Sequence, residues 1–516
     1  MADPSEPANL LRMMERMLQS AVLVACVALT IPAPSQAGVV ETGDVVVFAN
    51  RIAYGPTSFG TLLIEDGFPY NSASQAATGQ ADVAVTLAEN GGSAFATVTG
   101  SQTRMEVTAN LTIGGNGGNA LMGILDDATV VVTGRTVIDI TAPIGALTGG
   151  LRVSGTDSLF AGGNLDFELR NGLVVVEDNA LLIALTQNDD ATYLGGVPGT
   201  TAELIVRSGG TFDASATVSN TDGDVFIGED TNGQKGQAFV TIESGGRFLA
   251  DDVFIRSSDA NPASITLSGA DSLFEASRQL QQTGSGSSTI RVSDGAALST
   301  QNYQLGFDGN HQATVETGGS IVATGNIQVG RNGGVGRLNL TGAGTTASGN
   351  SNVSVGWIGS GSNGIIDIGR GATLTANGQG FRLGQDDNLA QVIFRIGDDG
   401  TGEIESGQVI ATELRFGAGT ALFDLQLDPG VTLSIGDKFV LIDYETLRFD
   451  VPEQGFASLP DNSIITRSGY DFRVRYADDL GGGDLAFTVT VIPEPLASLG
   501  GLLCLSLLAG RRQNSR

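Results

Sequence analysis

Very few groups in this chain could do chemistry. The one histidine, His311, stands between Asn310 and Gln312, just ahead of an alternating segment. A Ser-His-Asp triad or an imidazole-held metal would hang on it alone, and its neighbours predict an exposed turn histidine. Lys235 and Lys438 are the only lysines, so amine catalysis is equally thin. The stretches "GSGSSTI" from Gly284 and "GRNGGVGRLNL" from Gly330 have glycine spacings like those of phosphate loops. Neither carries the Lys-Ser/Thr element that would touch a phosphate, and both read as tight turns.

Carboxylate pairs are commoner: Asp126-Asp127, Asp189-Asp190, Asp251-Asp252, Asp386-Asp387, Asp398-Asp399 and Asp478-Asp479. With Ca²⁺ and Arg395 as base, Asp386 and Asp387 would suit a polysaccharide lyase. Two carboxylates about 5 to 9 Å apart would suit a glycoside hydrolase. Aspartate is also a favoured turn residue, and the repeating nonapeptide that would hold Ca²⁺ is absent. The expectation is solvated turn charge, with no catalytic residue, no metal site and no cofactor.

What must position these groups follows from composition. Cys26 and Cys504 lie at the two ends, so the body between them has no disulfide and no thiolate site. Glycine supplies 74 of 516 residues, while aromatics make up 6%. A hydrophobic content of 41% is too high for a disordered chain. The net charge of -29 repels nucleic acid and anionic lipid.

Three stretches align: "VTIESGGRFLADDVFIRSSD" from Val240, "ATVETGGSIVATGNIQVGRNGG" from Ala313 and "GIIDIGRGATLTANGQGFRLGQDD" from Gly364. Corners recur near Gly210, Gly246, Ala270, Gly295, Gly319, Ala343 and Gly371, about 24 to 28 residues apart from Gly246 onward. A later short strand recurs at Val225, Val253, Tyr303, Ile327, Val353 and Phe381. Alternation places Val240 with Ile242, and Val253 with Ile255, on one face. Stacking each coil on the next buries that face, and corner glycines are expected to supply positive φ. The fold expected is all-β: a parallel β-helix (β-solenoid) with a β-rich C-terminal cap.

The ends have a different character. An apolar stretch from Ala21 to Ile31 follows Arg12 and Arg16, and Ser35 and Ala37 suit cleavage by signal peptidase before Gly38. Translation could begin at Met1, Met13, Met14 or Met17. At the other end, Pro493-Glu494-Pro495 precedes an apolar run from Leu496 to Ala509, and Arg511-Arg512 follow. That run is shorter than the roughly 20 residues a permanent span needs. It reads as a short hydrophobic helix in transient contact with the inner membrane.

Order, spacing and terminal position make the tail resemble the PEP-CTERM sorting signal, a match over about 26 residues. The resemblance implies an exosortase-type processing enzyme as partner. It also implies a surface or extracellular destination, often with biofilm matrix or exopolysaccharide. The repeats and their ending resemble autotransporter-like β-strand repeat passengers, although no outer-membrane barrel segment follows.

The expected divisions are a signal peptide (1–37), divergent N-terminal coils (38–200), regular repeats (201–416), a C-terminal β cap (417–492) and the sorting signal (493–516). The function expected is an exported, non-enzymatic surface or matrix protein: a spacer, an adhesin or a polysaccharide-associated component. The alternative is a polysaccharide lyase or glycoside hydrolase on the same fold. Mixed acidic and basic clusters on adjacent coils would favour that alternative, and scattered turn charges the first reading.

Overall fold

The computed structural model describes residues 38–493, apart from residue 44 and segments 47–50, 55–57, 66–68, 72–83, 141–148, 163–164, 185–190, 216–222, 399–400, 452–454 and 482–483. Gly38 of the expected cleavage site and Pro493 of the expected sorting motif are its first and last residues. Ser35, Ala37, Glu494, Pro495, Arg511, Arg512 and the expected C-terminal helix lie outside the described residues.

The described chain is a β-solenoid. Each regular coil carries three short strands, as in Asn310–Glu316, Ser320–Ala323 and Asn326–Arg331. In Arg247–Arg256 and Leu273–Thr283 the second and third strands run on as one, with a register shift between them. First strands stack in parallel without a break from Phe59–Glu65 to Thr420–Leu427.

Alternation decides what is buried. Leu204, Val240, Ile265, Ile290 and Ala313 lie one above the next, and all are buried. The expected third-strand positions also form one inward line: Val225, Val253, Leu280, Tyr303, Ile327, Val353 and Phe381. Leu280 fills the coil that the sequence spacing skipped. Phe212, Phe248 and Phe274 stack along the interior with centroids 5.1 and 4.7 Å apart. Such contacts add about 0.5–1.5 kcal/mol each beyond their area burial.

The expected positive φ is found at the corners Gly295 (80°) and Gly371 (64°), but not at Gly210, Gly246 or Gly319. At Gly246 the positive φ falls on the preceding residues, Ser244 (52°) and Gly245 (78°). Gly246 is required because a Cβ there would lie 2.2 Å from the Val206 carbonyl oxygen of the neighbouring coil. Side chains then tie coil to coil. The Ser272 hydroxyl accepts from the Gly245 amide, 27 positions back (3.1 Å), and Asn388 Oδ1 accepts from the Ser362 amide, 26 positions back (3.0 Å).

Both ends leave the parallel pattern. Gly38–Gly43 pairs antiparallel with Phe59–Glu65. At the other end Lys438–Phe449 stacks in parallel on Gln408–Phe416, then pairs antiparallel with Asp484–Ile492. Tyr470–Gly481 and Ile464–Arg467 continue outward, also antiparallel. Phe416, Phe423, Phe456, Tyr476 and Phe487 interlock beneath them. This switch replaces the open parallel edge that a further coil would otherwise extend. Among the described residues no helix is long and apolar enough to cross a membrane.

Candidate functional site

His311 departs from the expectation. It lies in the strand Asn310–Glu316 and is buried, not in an exposed turn. The cause is Gln282, which falls on the inward line between Ile255 and Leu305 and must satisfy its amide inside the solenoid. Gln282 Nε2 donates to Ser288 Oγ (2.9 Å), and its Oε1 accepts from the Tyr303 hydroxyl (2.6 Å). Ser288 Oγ lies 2.8 Å from His311 Nδ1, and His311 Nε2 lies 2.5 Å from the Asp308 carbonyl oxygen.

A carbonyl can only accept, so Nε2 carries the proton and Nδ1 accepts from Ser288. Burial lowers the imidazole pKa, opposed by hydrogen bonds to the Asp308 and Gly284 backbone, which favours this neutral form. The pair looks like a nucleophile and base, but both residues are buried. The network satisfies polar groups in the core.

The carboxylate pairs are dispersed. Asp126-Asp127 and Asp386-Asp387 occupy turns, while Asp251-Asp252 and Asp478-Asp479 lie within strands. Asp398 ends a strand, and Asp189, Asp190 and Asp399 fall outside the described residues. Asp386 and Asp387 are not the partners of Arg395, whose guanidinium is bound by Asp367. "GSGSSTI" begins at a bend that leads into the first strand Ser287–Ser293, and "GRNGGVGRLNL" begins in the last two residues of Asn326–Arg331 and turns into the first strand Val335–Thr341. Among the described residues no three His, Cys, Asp or Glu gather as metal ligands.

The richest outer cluster lies on first strands, where Arg337, Asp367 and Arg395 come from three successive coils. Asp367 is buried. It accepts from Arg395 Nε (2.9 Å) and Nη2 (2.8 Å), and from Arg337 Nη2 (3.3 Å). The hydrogen bond to Asp367 raises the Arg395 pKa above its usual value. Arg370 and Asp428 complete one side of a groove of about 620 Å³, with Nε and Oδ2 3.7 Å apart.

The same construction recurs. Buried Glu177 is held by Arg152 and by Arg207 (2.7 Å), from the coils before and after it. Buried Glu168 is held by Arg135 and Arg170 (2.6 Å), and buried Glu229 by Lys235 and Arg256 (2.7 Å). Burial, then the Arg256 charge, brings Lys235 down to about 8. Lys438 is bound to Asp478 (2.7 Å), which it holds below the usual carboxylate range.

Sequence reading missed these clusters because at least one cation of each lies a coil away from its carboxylate. Arg337, Asp367 and Arg395 are 30 and 28 positions from one another, a spacing that means adjacency only once the register is fixed. A buried carboxylate engaged by cations from adjacent coils is held in its charged form and ties those coils in register.

No family model and no curated protein matches the chain. Among solved structures, the Hap adhesin of Haemophilus influenzae is similar at 9% identity and a TM-score of 0.18. The match covers 83% of this chain and 59% of that one, so the chain spans under two thirds of that structure's length.

Proposed function

We propose that this is an exported, non-enzymatic β-solenoid of the cell surface or extracellular matrix, acting as a spacer, an adhesin or a polysaccharide-associated component. The observation that carries this reading is the clamped carboxylate. Asp367, at the centre of the richest outer cluster, is bound by Arg395 and Arg337. Glu168, Glu177 and Glu229 are engaged in the same way. General acid-base chemistry needs a group free to take or give a proton within reach of substrate. In this reading the outer faces act as fixed, repeating binding surfaces.

The ends fit the same reading: Ser35-Gln36-Ala37 as the signal-peptidase site, and Pro493-Glu494-Pro495 with Arg511-Arg512 as a handle for an exosortase-type enzyme. The enzymatic alternative has in its favour the feature expected for it, mixed acidic and basic side chains on adjacent coils, in the groove bearing Arg337, Asp367, Arg370 and Arg395.

A glycan array run with the full chain, with parallel measurement of new reducing and unsaturated ends, separates the two. Binding without new ends is expected. New ends that depend on Asp367 would replace this reading with the lyase or hydrolase one. In protein recovered from the native host, intact mass should show a start near Gly38 and loss of Leu496 to Arg516. Tail peptides in the fully matured protein would contradict the sorting role.

A further inference from the structure

One group of cations is arranged unlike the clamps. The non-core position of the third strands runs Gln281, Gln304, Gln328, Ser354 and then Arg382 in successive register, with Gln281 and Ser354 themselves buried. Arg415 and Arg448 follow, each paired with the one before it. Three guanidiniums thus stand one above another on a protein whose net charge is -29. Like charges directly opposed across strands are destabilising, so the row needs a compensating gain.

Local carboxylates supply part of it. Asp450 accepts from Arg415 Nε (3.0 Å) and Nη2 (2.9 Å) and lies 3.7 Å from Arg448 Nε. Glu413 acts on Arg382 only through space, and the side-chain partner of Arg382 is the neutral Gln379. Burial and then Arg415 lower the Arg382 pKa. Among the described residues, Arg382, Arg415 and Arg448 are thus direct register neighbours of one another, with Asp450 and Glu413 beside the row, where each clamp elsewhere sets a carboxylate between two cations.

The row is also held in place. The guanidiniums of Arg382 and Arg415 lie 5.4 and 5.2 Å from the Trp357 ring centre. Trp357 is buried, at 7% exposure, so it is a support and not itself a sugar platform. Stacking on an indole fixes a planar guanidinium and leaves its N–H edge to pair with a carboxylate.

We propose that Arg382, Arg415 and Arg448 form a binding stripe for a linear polyuronate, with Gln328 and Gln304 extending it toward the sugar hydroxyls. The proposal deepens the surface-binding reading and rests on it. Three features select this occupant. The row follows successive register and repeats at the strand spacing of about 4.8 Å, which suits an extended polymer with a charge on each ring. Guanidinium forks match carboxylates in a bidentate manner. The amides of Gln328 and Gln304, which resume the line beyond buried Ser354, suit hydroxyl groups and not further anions.

The test uses the full chain with sodium alginate as probe, and with dextran and single-stranded DNA as comparisons. Alginate should bind, weaken as salt is raised, and exceed both comparisons. Arg382→Gln/Arg448→Gln should weaken alginate binding at least about tenfold per arginine, with an unchanged circular dichroism spectrum. Arg104→Gln/Arg291→Gln removes the same charge from exposed arginines elsewhere and should change binding little. Asp450→Asn removes a competing carboxylate and should tighten binding, a gain that misfolding cannot mimic.

Equal loss in both arginine pairs, or no gain with Asp450→Asn, overturns the stripe. DNA binding as tight as alginate overturns the polyuronate assignment. Binding of dextran with no preference for alginate overturns the stripe and leaves the surface-binding reading standing. Generation of new chain ends overturns that reading itself.

Discussion

At the scale of single residues, the chain uses its rare titratable groups inside the structure. His311 and Ser288 form a buried pair that exists because Gln282 sits on an inward line. His311→Ala removes the partner of Ser288 and should cost about 1–3 kcal/mol in urea unfolding, with glycan binding unchanged. Loss of binding without loss of folding would give His311 a functional role. Burial holds the folded pKa below the ordinary value of 6.5. Above 6.5 the imidazole is neutral in both states and the stability contribution is complete. As pH falls toward the folded pKa, the unfolded state binds the extra proton and stability is lost. The stability gap between wild type and His311→Ala should therefore narrow below about pH 6.5, by at most about 1.4 kcal/mol per pH unit. A gap independent of pH from 5 to 8 (roughly the range in which histidine titrates) contradicts the assignment. Asp367→Asn leaves Arg337 and Arg395 facing each other. Both arginines are partly exposed, so the expected cost is about 1–3 kcal/mol, below the full price of breaking a buried pair.

At the scale of the element, the coil is set by where side chains alternate and where Cβ atoms have no room. Gly246→Ala drives a methyl into the Val206 carbonyl of the next coil. Gly318 has φ of 74° with nothing near its Cβ position, so Gly318→Ala meets only backbone strain of about 1–3 kcal/mol. Thermal unfolding should rank Gly246→Ala as the more damaging of the two. The reverse order would mean that φ, not coil-to-coil approach, governs the corners. These corners also show what sequence could disclose. The coil period and the inward lines through Val240 and Val253 were legible, because strand periodicity is local and burial follows it. The fused second and third strands, the interior Gln282 network and the clamps were not. Each depends on which residues become neighbours a whole coil apart, and coil length varies. Arg382, Arg415 and Arg448 are spaced equally (33 positions each time), yet that spacing became adjacency only through the register.

At the scale of the whole molecule, each coil touches its neighbours, and the antiparallel segments at either end close the stack. Stability is then a sum of coil and interface terms. Phe248→Ala, which empties the middle of the interior stack, should cost about 3–5 kcal/mol. Its effect on hydrogen exchange should be largest in the coils beside it and fade along the axis. Uniform loss of protection over the whole chain would indicate a globular core. The central claim is one continuous solenoid that presents straight, repeating faces, and small-angle scattering from the monomeric protein tests it most directly. At about 4.8 Å per coil, with its two ends included, the chain should show a maximum dimension of roughly 90 Å. A value near 60 Å, the approximate diameter of a compact globule of this length, would contradict it.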